Sequence, residues 1–250
     1  MKIAISGNCE QRKLRRVVYD VDDTLWDLTG MLCDNFGVNK EDHITYDPKD
    51  NPRLSDNEKQ MFYEAFRDPE VFKQCRFFDG YEQIFDLEKD GSAEVWISSA
   101  NLNESIMEVK RERLRNEIPN INMEHVSLTV AGTVHQGRVP GYILVDDSLS
   151  NVANSDFEYY ILIDMPHNRN TDILEMYPNK NIIKVHSLKD AIKLVEDFIR
   201  NDFDTCLNKE SDIIQKLYEA YEKVRTTPAM KLAVNSRNKE KLVEMGADPS

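Results

Sequence analysis

Apolar residues along this chain gather in short runs separated by polar segments. Val17-Val18-Tyr19, Val95-Trp96-Ile97, Val126-Ser127-Leu128-Thr129-Val130, Tyr142-Ile143-Leu144-Val145, Tyr159-Tyr160-Ile161-Leu162-Ile163 and Asn181-Ile182-Ile183-Lys184-Val185 are rich in β-branched and aromatic residues. Runs of this length and type predict strands buried on both faces. Between them the period changes. Leu102, Ile106, Val109 and Leu114 recur at helical spacing, Asp79-Gly80 opens a helix through Ile84, Phe85 and Leu87 that stops at Asp90-Gly91, and Ser187-Leu188-Lys189-Asp190 caps a helix carrying Ile192, Val195 and Ile199. Strand alternating with helix predicts an α/β fold with a Rossmann-like parallel sheet sandwiched by helices.

Two segments break the alternation. Residues 26–78 have little strand patterning; Leu28, Met31, Leu32 and Phe36 fall at helical spacing, a polar loop runs from Asp47 to Asp56, and Met61-Phe62-Tyr63-Glu64-Ala65-Phe66 follows. This reads as a small helical insert after the first strand, lying over the strand ends. The α/β core is then expected in residues 1–25 and 79–203. Residues 204–250 are expected to form a C-terminal helical extension, with Ile213, Ile214, Leu217, Tyr218, Tyr221 and Val224 at the positions of an amphipathic helix. That helix is expected to pack on its own core, with a homo-oligomer contact as the alternative.

Composition narrows the partners. The chain has 250 residues, 40% of them hydrophobic, and a formal net charge of −13. Such a surface repels a nucleic-acid polymer, whose binding rests on Lys and Arg against phosphates. The basic stretch Lys110-Arg111-Glu112-Arg113-Leu114-Arg115 is interleaved with Glu and reads as a solvated helix face. No apolar run approaches the ~18 residues of a membrane span, and the first residues lack a secretory signal pattern, so a cytoplasmic protein is expected. Cys9, Cys33, Cys75 and Cys206 lack metal or redox spacing and are expected as reduced thiols.

The chemistry sits where the apolar runs end. Val17-Val18-Tyr19 delivers Asp20-Val21-Asp22-Asp23-Thr24-Leu25, and alternate side chains of an extended segment share a face, so Asp20 and Asp22 enter one small volume. Two carboxylates so close repel unless a cation lies between them or one holds a proton. A calcium loop would need Gly in place of Leu25 and Glu near Met31, and neither is present. The second run leads into Ser98-Ser99-Ala100-Asn101, two hydroxyls and an Asn suited to cap the next helix. The fourth leads into Asp146-Asp147-Ser148. Hydroxyl and helix N-terminus suit a phosphate, and the carboxylates suit its metal.

In this ordered set the chain resembles the haloacid dehalogenase-like hydrolases. The resemblance implies a Mg²⁺-dependent phosphatase working through an aspartyl-phosphate. Asp20 would be the nucleophile, Asp22 the general acid and base, and Ser98 a holder of phosphoryl oxygens, with Ser99 and Asn101 as substrate-binding residues. Asp20, Asp147, the backbone carbonyl of Asp22 and, in support, Asp146 would hold the metal. The cation that usually precedes the last Asp motif is missing as Lys; Arg138 is the first candidate, His135 the second, and Lys110 a remote third. The aromatic-rich insert ending in Phe77-Phe78-Asp79-Gly80-Tyr81 and the late Asp164-Met165-Pro166-His167-Asn168 are similar to the 5'(3')-deoxyribonucleotidase group, which implies a nucleoside 5'-monophosphate as substrate. Sugar phosphates, nucleic-acid ends and a weakly catalytic phosphate-binding protein are the alternatives.

Overall fold

The structure, a computed structural model, describes residues 15–130 and 141–200. Six strands, β1 (Arg16–Tyr19), β2 (Glu94–Asn101), β3 (Val126–Val130), β4 (Ile143–Asp146), β5 (Tyr159–Ile163) and β6 (Asn181–Val185), form one parallel sheet in the order β3-β2-β1-β4-β5-β6. The register places Val17 beside Val95 on one side and Ile143 on the other. The chain builds outward from β1 to β3, then crosses to β4 and builds outward the other way. The strand order thus reverses between β1 and β4, where open α/β sheets leave a crevice at their carboxyl ends.

The helices are α1 (Leu28–Phe36), α2 (Asp56–Ala65), α3 (Pro69–Phe72), α4 (Asp86–Lys89), α5 (Glu104–Glu117), α6 (Leu149–Ala153), α7 (Ile173–Met176) and α8 (Leu188–Arg200). Alternation along each strand supplies two apolar layers. One joins Val18, Leu144, Tyr160 and Leu162 to Val152 of α6 and Phe157, with Trp96 and Ile182 packed against it. On the other, Tyr159 meets Phe198 of α8, whose inward stripe is Leu188, Ala191, Ile192, Val195 and Phe198. Every residue of β5 is buried, as a strand covered on both faces requires. Each such Ile or Leu contributes roughly 1.5–3 kcal/mol of burial.

Two local expectations are corrected. The helix expected from Asp79 to Asp90 is a 3-10 turn, Tyr81–Gln83, followed by the single turn of α4. Phe85 lies off helical geometry at φ −95° and ψ 6°, which lets the adjacent Ile84 and Phe85 both enter the core. The cap of α5 is Asn103, whose side chain accepts from the N–H of Ile106 at 2.9 Å; Asn101, expected in that role, is the last residue of β2.

Residues 27–76 leave and return at one place. Trp26 pairs antiparallel with Phe77, the N–H of Asp27 donates to the carbonyl of Arg76 at 2.9 Å, and the N–H of Phe78 donates to that of Leu25 at 2.9 Å. Between these points α1 and α2 pack together, and Phe36 and Phe66 lie against the fully buried Phe62. Ser55 and Glu58 form a capping box at the start of α2. Residues 1–14, 131–140 and 201–250, including the C-terminal helix read from sequence, lie outside the described residues. No helix among those described is long and apolar enough to cross a membrane. Cys33 and Cys75 are buried free thiols.

Candidate active site

The N–H of Asp20 donates to the carbonyl of Val145 at 3.0 Å, extending the ladder between β1 and β4 one residue past the strand. Val21 is fully buried, so its neighbours Asp20 and Asp22 turn toward the crevice. The carbonyl of Val21 then accepts from the N–H groups of Leu25 and Trp26, at 2.9 and 3.1 Å, closing a tight turn. Asp23 takes the left-handed conformation in that turn, at φ 56°, which Asp tolerates better than most residues. Its carboxylate accepts from the N–H and hydroxyl of Thr29 at the start of α1.

At the end of β4, Asp146 is held by the N–H of Ser148 at 2.7 Å and by the side-chain amide of Asn151 at 3.0 Å. Asp147 lies 3.1 Å from Nε2 of His167, and its backbone carbonyl accepts from Nδ2 of the buried Asn168 at 2.7 Å. Asn168 also donates to the carbonyl of Ile163, tying the loop after β5 to the end of β4. Asp20, Asp146 and Asp147 each present a carboxylate oxygen within 4.8 Å of the others. Three carboxylates form an all-oxygen donor set, which fits a hard divalent cation such as Mg²⁺.

Without a cation the cluster is strained by its own charge. Burial first, then repulsion from Asp146, Asp22 and Asp147, holds Asp20 well above the usual carboxylate range, and Lys110 offsets only part of this. Asp146 is pushed up to about 8 by burial and by the charge of Asp147, against its hydrogen bonds from Ser148 and Asn151. Burial and Asp147 push Asp23 up to about 7, against the bonds from Thr29. Burial disfavours a charged His167, yet its hydrogen bond to Asp147 and that carboxylate's charge outweigh burial and raise its pKa.

Lys110 is the main correction to the sequence reading. Placed last among the candidate cations and assigned to a solvated face, it is 1% exposed, with Nζ 2.5 Å from Oδ2 of Asp22 and 3.0 Å from the hydroxyl of Ser99. Ile106, Lys110 and Leu114 form the inward stripe of α5, whereas Leu102 is half exposed. A lysine at the four-residue spacing between two apolar positions was the signal. The indole N–H of Trp26 donates to Oδ1 of Asp22 at 2.8 Å, so both oxygens of that carboxylate are engaged. Arg138 and His135 lie outside the described residues.

Two cavities meet this constellation. A small one of about 100 Å³ is lined by Asp20, Asp22, Ser98, Ser99, Asp146 and Tyr46. The larger, about 440 Å³, runs under residues 43–72 of the insert; Asp22, Lys110 and Asp147 line it together with Asn101, His43 and Tyr63. The structure thus groups Asp20, Asp22, Ser98, Ser99, Asp146 and Asp147 and sets Asn101 beside the larger space. Trp26 and Phe62 are core, while Tyr63 and Phe66 face that space.

Sequence reasoning missed two histidines. His167 was quoted only as part of a motif, yet its imidazole braces Asp147. His43 is 2% exposed, stacked at a tilt on Phe62, and neither ring nitrogen has a hydrogen-bond partner. A lone histidine in a polar stretch carries no sequence signal for either role.

No protein-family model matches the chain, and no curated protein matches it. Solved structures similar to it include a phosphonoacetaldehyde hydrolase-like protein from Oleispira antarctica, 11% identical with a TM-score of 0.44, covering 76% of this chain and 95% of that one. Another is CbbY from Rhodobacter sphaeroides in complex with phosphate, 12% identical with a TM-score of 0.43, covering 71% and 96%. A haloacid dehalogenase-like family hydrolase from Streptococcus pneumoniae is 14% identical with a TM-score of 0.41, covering 73% and 98%.

Proposed function

We propose that the chain is a Mg²⁺-dependent phosphatase of the haloacid dehalogenase-like type, acting on a small phosphomonoester through an aspartyl-phosphate on Asp20. The observation that carries this reading is the convergence of Asp20, Asp146 and Asp147 at the point where strand order reverses, with the Asp22–Lys110 pair beside them. Asp20, Asp147 and the carbonyl of Asp22 would hold the ion, with Asp146 in support. When bound, it neutralises phosphoryl charge and orients the ester.

In this reading a carboxylate oxygen of Asp20 attacks phosphorus, and the bond from phosphorus to the ester oxygen breaks. The bound phosphoryl group draws Lys110 from Oδ2 of Asp22, which frees that oxygen to carry the proton that Asp22 gives to the departing oxygen. Asp22 then takes a proton from a water that attacks the acyl-phosphate, releasing inorganic phosphate and restoring Asp20. Ser98 and Ser99 hold phosphoryl oxygens. Lys110 sets a positive charge beside the transferring group, where charge must be met for phosphoryl transfer. The reading as a non-catalytic binder rested on a missing cation, and Lys110 supplies one.

A nucleoside 5'-monophosphate is the proposed substrate. Tyr46, Tyr63 and Phe66 border the larger cavity, and aromatic faces there suit a planar base. Phosphate release from 4-nitrophenyl phosphate tests the chemistry apart from the substrate. Release is expected to need Mg²⁺, to stop with a chelator, and to fall at least ~10³-fold in Asp20→Asn. Turnover indifferent to chelator and to that substitution would remove the proposal.

A further inference from the structure

The larger cavity holds polar atoms that the fold leaves unpaired. His43 is buried with both ring nitrogens unpartnered, and the buried Asn101 has an unpartnered Oδ1. Both residues line the same space, Asn101 from the end of β2 and His43 from the insert. The orientation of the Asn101 amide is settled by its partners: Nδ2 donates to the carbonyls of Ser99 at 3.2 Å and Thr129 at 3.0 Å. A flipped amide would set oxygen against two carbonyl oxygens, so Oδ1 is the atom left in need of a donor.

We propose that His43 and Asn101 recognise the leaving group, and that this group is a nucleoside whose base carries an N–H donor for Asn101 Oδ1 and a polar edge atom for one ring nitrogen of His43. The inference rests on the phosphatase reading and names the side chains that select its substrate. A neutral imidazole offers an N–H on one nitrogen and a lone pair on the other, pointing apart, so a single ring nitrogen meets an acceptor or a donor atom of the base edge. Burial, then the nearby His167 and Lys40, lower the pKa of His43 to about 4, so the ring is neutral at physiological pH. Polar atoms desolvated without partners are unfavourable in the free protein, and a ligand that pairs them gains what the fold forgoes. Leu28, Tyr63, Phe66 and Phe72 give part of the wall an apolar and aromatic face suited to a flat body. Such a site rejects a ligand lacking the matching groups far more sharply than an apolar pocket rejects a misfit in size.

The test compares kcat/KM for a panel of nucleoside 5'-monophosphates with that for 4-nitrophenyl phosphate, which has no donor on its leaving group, in the full chain with Mg²⁺. In the wild-type chain at least one nucleotide is expected to exceed the aryl ester. In His43→Leu the ratio of the two is expected to fall at least tenfold, carried by KM for the nucleotide. His43→Gln keeps a donor and an acceptor and is expected to recover part of the ratio. Since the His43 ring nitrogens have no hydrogen-bond partner in the free protein, His43→Leu is expected to melt no lower than wild type.

An unchanged ratio in His43→Leu overturns the inference, as does a lower melting temperature with both substrates lost in parallel, the mark of a structural role. A hexose phosphate preferred tenfold over every nucleotide also overturns it. Should the wild-type chain hydrolyse neither ester, the phosphatase reading fails, and calorimetric binding decides the inference alone: a nucleotide held at least tenfold more weakly by His43→Leu supports it, and equal binding overturns it.

Discussion

The acidic ends of β1 and β4 and the cavity under the insert solve opposite problems a few residues apart. At the strand ends three carboxylates are tied: Asp22 by Trp26 and Lys110, Asp146 by Ser148 and Asn151, Asp147 by His167. In the cavity, His43 and Asn101 hold polar atoms with no partner at all. The tied region is oriented in advance for one reaction, and orientation fixed by folding is what lets charged groups stabilise a transition state without reorganising. The untied region is completed only by what enters it. Chemistry is fixed by the fold, and selection is left to the ligand.

The largest effect that would break this contrast is expected at Lys110. Lys110→Met should lower kcat by roughly 10²–10³-fold while leaving KM for a small aryl ester within a few-fold, because the charge matters as the phosphoryl transfers. Lys110→Arg is not expected to restore the rate, since a planar guanidinium does not fit a space shaped for an ammonium between Asp22 and Ser99. A loss under threefold in Lys110→Met would move the transition-state cation to another residue, with Arg138 the first to substitute.

An effect of middle size is expected from the clustered charge itself. Asp146 and Asp23 titrate in the folded, metal-free chain near 8 and 7, and Asp20 well above the usual range, whereas the unfolded chain titrates them near the ordinary carboxylate value. Between those values the folded state binds more protons. Stability is therefore full at acid pH and is lost as pH rises through the folded values. Melting of the metal-free chain should drop between pH 5 and pH 8.5, and Mg²⁺ should flatten that slope, because a cation does the work of the protons. A melting temperature independent of pH without metal would show that the cluster is less desolvated than its geometry implies.

The smallest effect concerns His43, and its sign is the reverse. The lowered pKa of about 4 means that the unfolded chain takes up a proton the folded chain refuses. Stability is full above the unfolded value near 6.5 and is lost as pH falls toward 4, by up to about 3 kcal/mol at full effect. His43→Leu should remove this loss, which melting at pH 4.5 and pH 7 in the two chains would reveal. An equal acid sensitivity in both would show that the imidazole is hydrated or paired in solution.

The parts that sequence made legible are those written in local patterns. Six strands lie where the β-branched runs predict them, because such runs leave little choice once both faces of a sheet are covered. Asp20, Asp22, Asp146 and Asp147 could be placed because each directly follows such a run. Lys110 could not, since its role depends on which face of α5 meets the sheet, a tertiary fact weighed against the charges around it in sequence. Asn101 and Asn103 are equally good caps by type, and only the length of β2 separates them. His43 and His167 acquire their surroundings from segments remote in sequence, which no local spacing encodes.

The pairing of Trp26 with Phe77 has a consequence for how such a molecule can change. The fifty positions between them begin and end side by side at an isolated bridge outside the sheet, so the strands that carry Asp20 and Asp147 do not register how much chain hangs on that stem. Lengthening such an excursion costs little, since closure entropy grows only with the logarithm of its length. Arg113 gathers the returning end by donating to the carbonyls of Phe72 and Cys75, which steadies the stem from α5. A new loop grafted between Trp26 and Phe77 would alter what is selected and leave the reacting groups where they are.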